Sequence, residues 1–250
     1  MFQIDDIREK NIDKFCEIYL TGGKLKLIEA IAEGLGKRSY FTINCDGTIK
    51  RKPMNHALPL ITTINNDNYR EIIETLLETM IDLTQREKIK KIERLSKYSM
   101  DTLTNNFNKI MASGDRIFGF KYGKELFLRD QQLFFKMLFD YILLEDIESE
   151  KSTMAWSLYQ LMKDNDFSDE VFYVGMSYIL QKRSEFKTFE RISTTNFTPT
   201  SKVEVIAASK TMDSLEISSY GMILNEFTYK KEGIYTEILK EKLNHKLHRL

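Results

Sequence analysis

Apolar residues recur at helical spacing over most of this chain. Ile12, Phe15, Cys16 and Tyr19 fall at i, i+3, i+4 and i+7, which predicts an amphipathic helix over 11–20 that stops at Gly22 and Gly23. Leu25, Ile28, Ala32 and Leu35 repeat the stripe and end at Gly36. The rhythm then changes. Residues 40–52 predict a β-hairpin, because Asp46-Gly47 supplies the two positive-φ positions of a type I′ turn. Pro53 and Pro59 bracket a connector.

From 67 to 183 the pattern is helix after helix. Tyr69, Ile72, Ile73, Leu76, Leu77, Met80 and Ile81 form one stripe. Thr84 and Glu87 make a capping box, which predicts a new helix carrying Ile89, Ile92 and Leu95. Asp101 caps the next, with Leu103, Phe107, Ile110 and Met111, closed at 113–115. Phe127, Leu133, Phe134, Met137, Leu138, Tyr141 and Ile142 predict one long central helix. Ser152 and Ser168 are the expected caps of two more, around Trp156 and around Phe172, Tyr178 and Ile179. The last has Asp169 and Glu170 in its first turn and Lys182 and Arg183 in its last, which suits the helix dipole.

Ser/Thr-rich residues 193–200 read as a linker. Ser201 and Glu204 form a second capping box, followed by a helix to about 210 and a shorter one ended by Gly221. Residues 222–235 read as a hairpin around Glu232-Gly233, and Thr236 as the cap of a terminal helix. This order of elements is similar to a winged-helix module. No internal repeat is evident at periods of 20–50 residues.

Composition fits a folded helical protein. Of 250 residues, 42% are hydrophobic and 30% charged, too apolar for a disordered chain. There are three prolines, none between Pro59 and Pro199. Since proline costs a helix interior about 3 kcal/mol, so long a proline-free span favours stacked helices. The 37 basic and 37 acidic side chains cancel, which argues against a general polyanion binder. Cys16 and Cys45 have no CxxC or histidine spacing, so neither a disulfide scaffold nor a structural zinc site is expected. Residues 1–10 are charged from the fifth position and predict no secretory leader. The most apolar run, 131–147, is broken by Lys136 and Asp140 and reads as a core helix, not a bilayer span.

Candidate chemistry is sparse. The loop Asp164, Asp166, Ser168 matches the first positions of a calcium loop, but the glycine position is Asp169 and the bidentate glutamate position is Gly175. Acidic helix start is the better reading. The run Gly36 to Ser39 lacks the spacing of a phosphate loop. Arg51 and His56, five residues apart, resemble the Arg/His pair of HEPN-type ribonucleases, in which Arg holds phosphate and His moves the proton. Pro53 bends the chain between them here. Glu185 and Lys187 form half of a metal-dependent nuclease motif without its aspartate-bearing strand. His245 and His248 lie on the terminal helix at i, i+3.

Charge is segregated. Residues 86–97 carry six basic against two acidic side chains, while 140–150 carry five acids and no base. Unlike patches of this kind can dock two chains together. The helix before the expected wing holds Asp213 and Glu216 and no base, which disfavours DNA and favours protein contact.

The sequence thus reads as mainly α: an α+β segment with a small N-terminal β-hairpin (1–62), a multi-helix body (63–192), a linker (193–200), and a C-terminal helix–hairpin–helix, winged-helix-like appendage (201–250). The function expected is a non-enzymatic cytoplasmic protein-interaction or assembly subunit, with a protein partner or a second copy, no membrane and no cofactor. Its contact residues are expected to be Lys88, Lys90, Lys91 and Arg94 on the basic helix, and Tyr220, Met222, Phe227 and Tyr229 on the appendage. The alternatives are a phosphodiester-cleaving enzyme using Arg51 and His56, and a nucleic-acid-binding regulator using Lys88 to Lys97.

Overall fold

A computed structural model describes residues 4–36, 40–52, 55–86, 88–89, 91, 93–146, 149–180, 185–198 and 200–247. In chain order these form α1 (Ile4–Arg8), α2 (Ile12–Ile31), β1 (Tyr40–Ile43), β2 (Ile49–Lys52), α3 (Ala57–Thr63), α4 (Tyr69–Thr75), α5 (Met100–Ser113), α6 (Arg116–Arg129) and α7 (Gln131–Ile142). There follow α8 (Lys151–Met162), α9 (Asp169–Ile179), α10 (Lys187–Ser193), α11 (Lys202–Thr211), α12 (Leu215–Glu226) and α13 (Glu232–Leu247). The described residues are mainly helical. They fall into two compact units, Met1–Leu95 with Gln160–Gln181, and Ser96–Tyr159 with Lys182–Leu250. Residues 62–63 and 193–200, expected as boundaries, each lie inside a unit.

In the first unit the Asn11 side chain caps α2 by accepting from the Lys14 amide. The double glycine kinks this helix without ending it. Gly23 takes φ 70°, a left-handed conformation that a side chain disfavours, and the helix resumes because Leu27, Ile28 and Ile31 continue the buried stripe. Strands β1 and β2 pair antiparallel, with Tyr40 opposite Lys52 and Ile43 opposite Ile49. The stripe through α4 stays helical to Thr75, then widens into a π turn over Leu76–Met80. Leu35 and Ile81 bridge beyond it, flanked by hydrogen bonds between Gly36 N and Met80 O and between Asp82 N and Gly34 O. Helix α9 begins as expected at Ser168, which accepts from the Val171 amide, and packs against α2.

The helix predicted beyond Thr84 does not form. A short 3-10 turn, Leu83–Gln85, is capped by Asp82, and the described residues from 86 to 99 are non-helical. A helix here would place Lys90 and Arg94, Lys91 and Arg94, and Arg94 and Lys97 one turn apart, which cancels the gain from its Glu87 and Glu93 pairs. Of the predicted stripe Ile89 is buried without a helix and Leu95 is exposed, so the stretch does not bury one continuous helical face.

In the second unit Ser99 caps α5, not Asp101, by accepting from the Thr102 amide at 3.3 Å. The predicted central helix is two helices. Asp130 is extended (φ −156°, ψ 93°) and its carboxylate caps α7 through the Leu133 amide at 2.9 Å, so the chain turns between α6 and α7. Ser152 lies inside α8 and its hydroxyl donates to the Glu216 carbonyl. Ser201 caps α11 as expected.

The winged-helix expectation is overturned. Residues 222–235 contain no strand: α12 continues through Met222, Ile223 and Leu224 to Glu226, and α13 starts at Glu232, with Thr236 within it. Gly221 does not stop a helix. A Cβ there would overlap the Ser209 hydroxyl of α11, so the glycine lets α11 and α12 approach closely. Ile217, Tyr220 and Leu224 complete a stripe buried at i, i+3, i+7, which holds the segment helical where local turn residues suggested a hairpin.

Candidate functional site

Helix α6 and the extended residues before α5 make the best-defined functional surface. Asp115 caps α6 through the Phe118 amide, and the extended Asp130 ends it. In between, the Glu125 carboxylate is fully buried. It accepts from the Ser96 amide at 2.7 Å and the Ser96 hydroxyl at 2.8 Å, and pairs with Arg129 one turn along α6. Arg129 donates to the carbonyls of Tyr98 at 2.7 Å and Ser96 at 3.0 Å. The two side chains therefore staple 96–98 along the helix, and the carboxylate, shielded from solvent, is satisfied by charge-assisted bonds.

The staple presents aromatic rings. Tyr98 lies 6.1 Å from Tyr122, which stacks at 5.7 Å on Phe118. Partial burial and a hydrogen bond with Tyr98 hold the Tyr122 phenol above its ordinary pKa. Beside the rings, Ile117, Lys121, Lys124 and Leu128 occupy one line of α6 at i, i+4, i+7 and i+11, with Lys124 buried and the two apolar ends exposed. Ile117 is 77% exposed, Leu128 48%, and Phe118 and Tyr98 44% each. Exposed aromatic and aliphatic side chains grouped on one fixed element are the kind of surface proteins use for contact.

Of the expected contact residues, Lys88, Lys91 and Arg94 are exposed, on a non-helical stretch of the first unit, and Lys90 lies outside the described residues. The appendage residues fare differently. Tyr220 and Tyr229 are buried, their hydroxyls donating to the Leu143 carbonyl at 2.7 Å and the Ile223 carbonyl at 2.8 Å. Phe227 packs edge-on against Phe139 and Tyr229 in the second unit's aromatic core, and Met222 is half-buried on α12. Tyr220 and Tyr229 therefore serve the interior.

Three acids of the 140–150 run, Asp140, Glu145 and Asp146, are also turned inward. Asp140 accepts from the Tyr235 hydroxyl at 3.0 Å, and burial raises its pKa against that bond. Glu145 is buried with Lys151 at 2.9 Å. Asp146 accepts from the Thr188 amide at 2.8 Å, tying the start of α10 to the end of α7. Lys242 of α13 is buried beside them, donating to the Asp146 carbonyl at 2.8 Å and lying 5.1 Å over the Tyr220 ring. Burial pushes its ammonium down to about 8, opposed by Glu145, Glu216 and Asp146. This network holds helices together and commits these three carboxylates to the interior, while Glu150 is exposed and Glu148 lies outside the described residues.

The other sequence candidates have only local placements among the described residues. Arg51 sits on β2 opposite Phe41, its side chain outside the described residues, and His56 precedes α3, its carbonyl accepting from Leu60. Glu185 pairs with Lys187 at 3.1 Å in the open. Residues 37–39 and His248 lie outside the described residues, and His245 is half-buried on α13. Among the described residues no three His, Cys, Asp or Glu converge to hold a metal ion, and no helix is long and apolar enough to cross a membrane. No known protein family, no curated protein and no solved structure matches the chain.

The signal for this site was in the sequence as Asp115, Glu125, Arg129 and Asp130. Two caps bound a helix whose buried carboxylate and arginine are one turn apart. Nothing in the spacing says that the carboxylate's partner is the Ser96 backbone 29 residues earlier.

Proposed function

We propose that the protein is a non-enzymatic, cytoplasmic interaction or assembly subunit that binds a protein partner through the outward face of α6 and the stapled residues 96–98. The observation that carries this is the juxtaposition of exposed Ile117, Phe118, Leu128 and Tyr98 on a backbone fixed by Glu125 and Arg129. Interfaces are rich in aromatic and aliphatic anchors held rigid before contact, since ordering them in advance lowers the entropy lost on binding. The test is the native size of the chain in extracts of the cells that make it. Wild type should run well above its 29.5 kDa, and Ile117→Asp/Leu128→Asp should shift it toward the free chain. A wild-type chain running at 29.5 kDa would exclude a stable assembly.

A second reading, a nucleic-acid-binding regulator, is favoured by the exposed Lys88, Lys91 and Arg94 on an extended stretch. Nuclease treatment of the extract separates the two: collapse of the large species on digestion supports this reading, and persistence supports the protein partner.

A further inference from the structure

We propose that the β1–β2 ribbon and residues 86–94 form one cationic surface on the first unit, which grips the phosphate backbone of a nucleic acid. This rests on the second reading above and extends its surface to the ribbon. Gly36 precedes the ribbon and Asn55 follows it, and both are tied to one atom. The Met80 carbonyl accepts from the Gly36 amide at 3.1 Å and from Asn55 Nδ2 at 2.9 Å. Two residues on, the Asp82 amide donates to the Gly34 carbonyl, and Arg86 pairs with Glu33 at 3.2 Å. The ribbon and the stretch 86–94 therefore leave the unit from a single root.

Charge gathers at that root. The first unit holds 17 basic and 19 acidic side chains, of which residues 37–52 and 86–94 carry 10 basic and 3 acidic. The rest of the unit is left with 7 basic and 16 acidic. Even against Glu87 and Glu93, the stretch 86–94 keeps a surplus of three positive charges. Lys50, Arg51 and Lys52 take successive ladder positions on β2, and Lys88, Lys91 and Arg94 are exposed. Each cation that meets a phosphate releases a counterion, so affinity accumulates with their number and needs no apolar core. A protein partner asks for the reverse, an apolar centre with few lysines. Ile89 of the stretch is buried, and only Ile43 and Ile49 are exposed large hydrophobics among the described side chains of these segments. A membrane is disfavoured by the ribbon tip, where those isoleucines flank Asp46. The Thr48 hydroxyl, at 2.7 Å, holds that carboxyl below its ordinary pKa, and an ionised tip resists entry into lipid.

The experiment is fluorescence anisotropy of the full chain with a labelled mixed-sequence strand of about 20 nucleotides. The strand is offered as single-stranded DNA, single-stranded RNA and duplex DNA, and the relative affinities identify the source of the phosphates. With the six cations named, affinity should fall about 100-fold or more between 50 mM and 200 mM salt. Lys50→Glu/Lys52→Glu and Lys88→Glu/Lys91→Glu should each weaken binding by about tenfold or more at 50 mM salt and flatten that dependence. Lys50→Arg/Lys52→Arg should bind as wild type, as should Lys210→Glu at an exposed lysine of the second unit, with circular dichroism unchanged in all. Weakening by Lys88→Glu/Lys91→Glu and not by Lys50→Glu/Lys52→Glu overturns the shared surface and leaves the second reading standing. Binding that Lys88→Glu/Lys91→Glu does not weaken overturns both. So does a chain that binds no strand, or binds only phosphatidylserine vesicles or poly-glutamate.

Discussion

Two places in the second unit take charge out of water, with different consequences. At α6 the buried Glu125 meets three donors, the Ser96 amide, the Ser96 hydroxyl and Arg129, so its charge is matched and the chain path is fixed. Under α13 the buried Lys242 donates to one carbonyl and faces one ring, and its ammonium is pushed toward neutrality. A buried charge with full partners specifies geometry. One with few partners makes stability depend on pH.

The neighbouring pair Glu145–Lys151 gives the strongest way to break this contrast. Lys151→Ala should destabilise the protein by about 3–5 kcal/mol, because it strands a buried carboxylate, as read from denaturant midpoints. Replacing both with apolar residues of similar volume should recover much of that loss. If the single change costs under about 1 kcal/mol, the pair is not the matched interior charge its geometry implies.

Glu125→Gln tests the staple. It leaves Arg129 without its carboxylate and should cost about 3 kcal/mol. The amides of Ser96 and Tyr98 should lose hydrogen-exchange protection well before those of α12. Uniform loss across the unit would mean that the carboxylate supports the fold without specially fixing 96–98.

For Lys242 the sign runs the other way. Its folded pKa of about 8 lies below the ordinary value of 10.5, so the native state releases this proton first. Between those values the unfolded chain binds more protons, and stability rises with pH, by up to about 3 kcal/mol. Below pH 8 the lysine is charged in both states and its burial penalty is fully present. Lys242→Met should remove that rise and raise stability near pH 7 by about 1–2 kcal/mol. An unchanged pH profile in the variant would assign the titration elsewhere.

Gly221→Ala should cost about 1–3 kcal/mol through its overlap with the Ser209 hydroxyl, and Ser209→Gly should relieve it. Smallest of all, Lys121→Glu on the open face should change stability by no more than about 0.5 kcal/mol, whatever it does to binding.

How far the sequence carries can be seen element by element. The stripes containing Phe15 and Cys16, Phe107 and Met111, and Leu138 and Ile142 located buried helical faces, because apolar residues at a 3.6-residue period fall on one side of a helix. Caps at Ser168 and Ser201 were equally legible, since a hydroxyl facing a free amide is a local interaction. The hairpin expected at 222–235 failed on the same scale: Glu232-Gly233 is a plausible turn locally, yet the buried stripe of α12 outweighs it.

What the chain determined alone was helical content, the positions of most apolar faces and several caps, all of which depend on residues within a turn or two of one another. What only the tertiary structure decided was which polar groups have partners. Glu125 finds Ser96, Asp146 finds Thr188, Lys242 finds the Asp146 carbonyl, and Gly221 meets Ser209, each across a separation that no local pattern encodes. Those pairings take Asp140, Glu145 and Asp146 into internal structure, while Ile117 and Leu128 of α6 face water. The physical reason is that a hydrogen bond or a close approach is fixed by distance in space, whereas periodicity constrains only the side of a helix on which a residue lies.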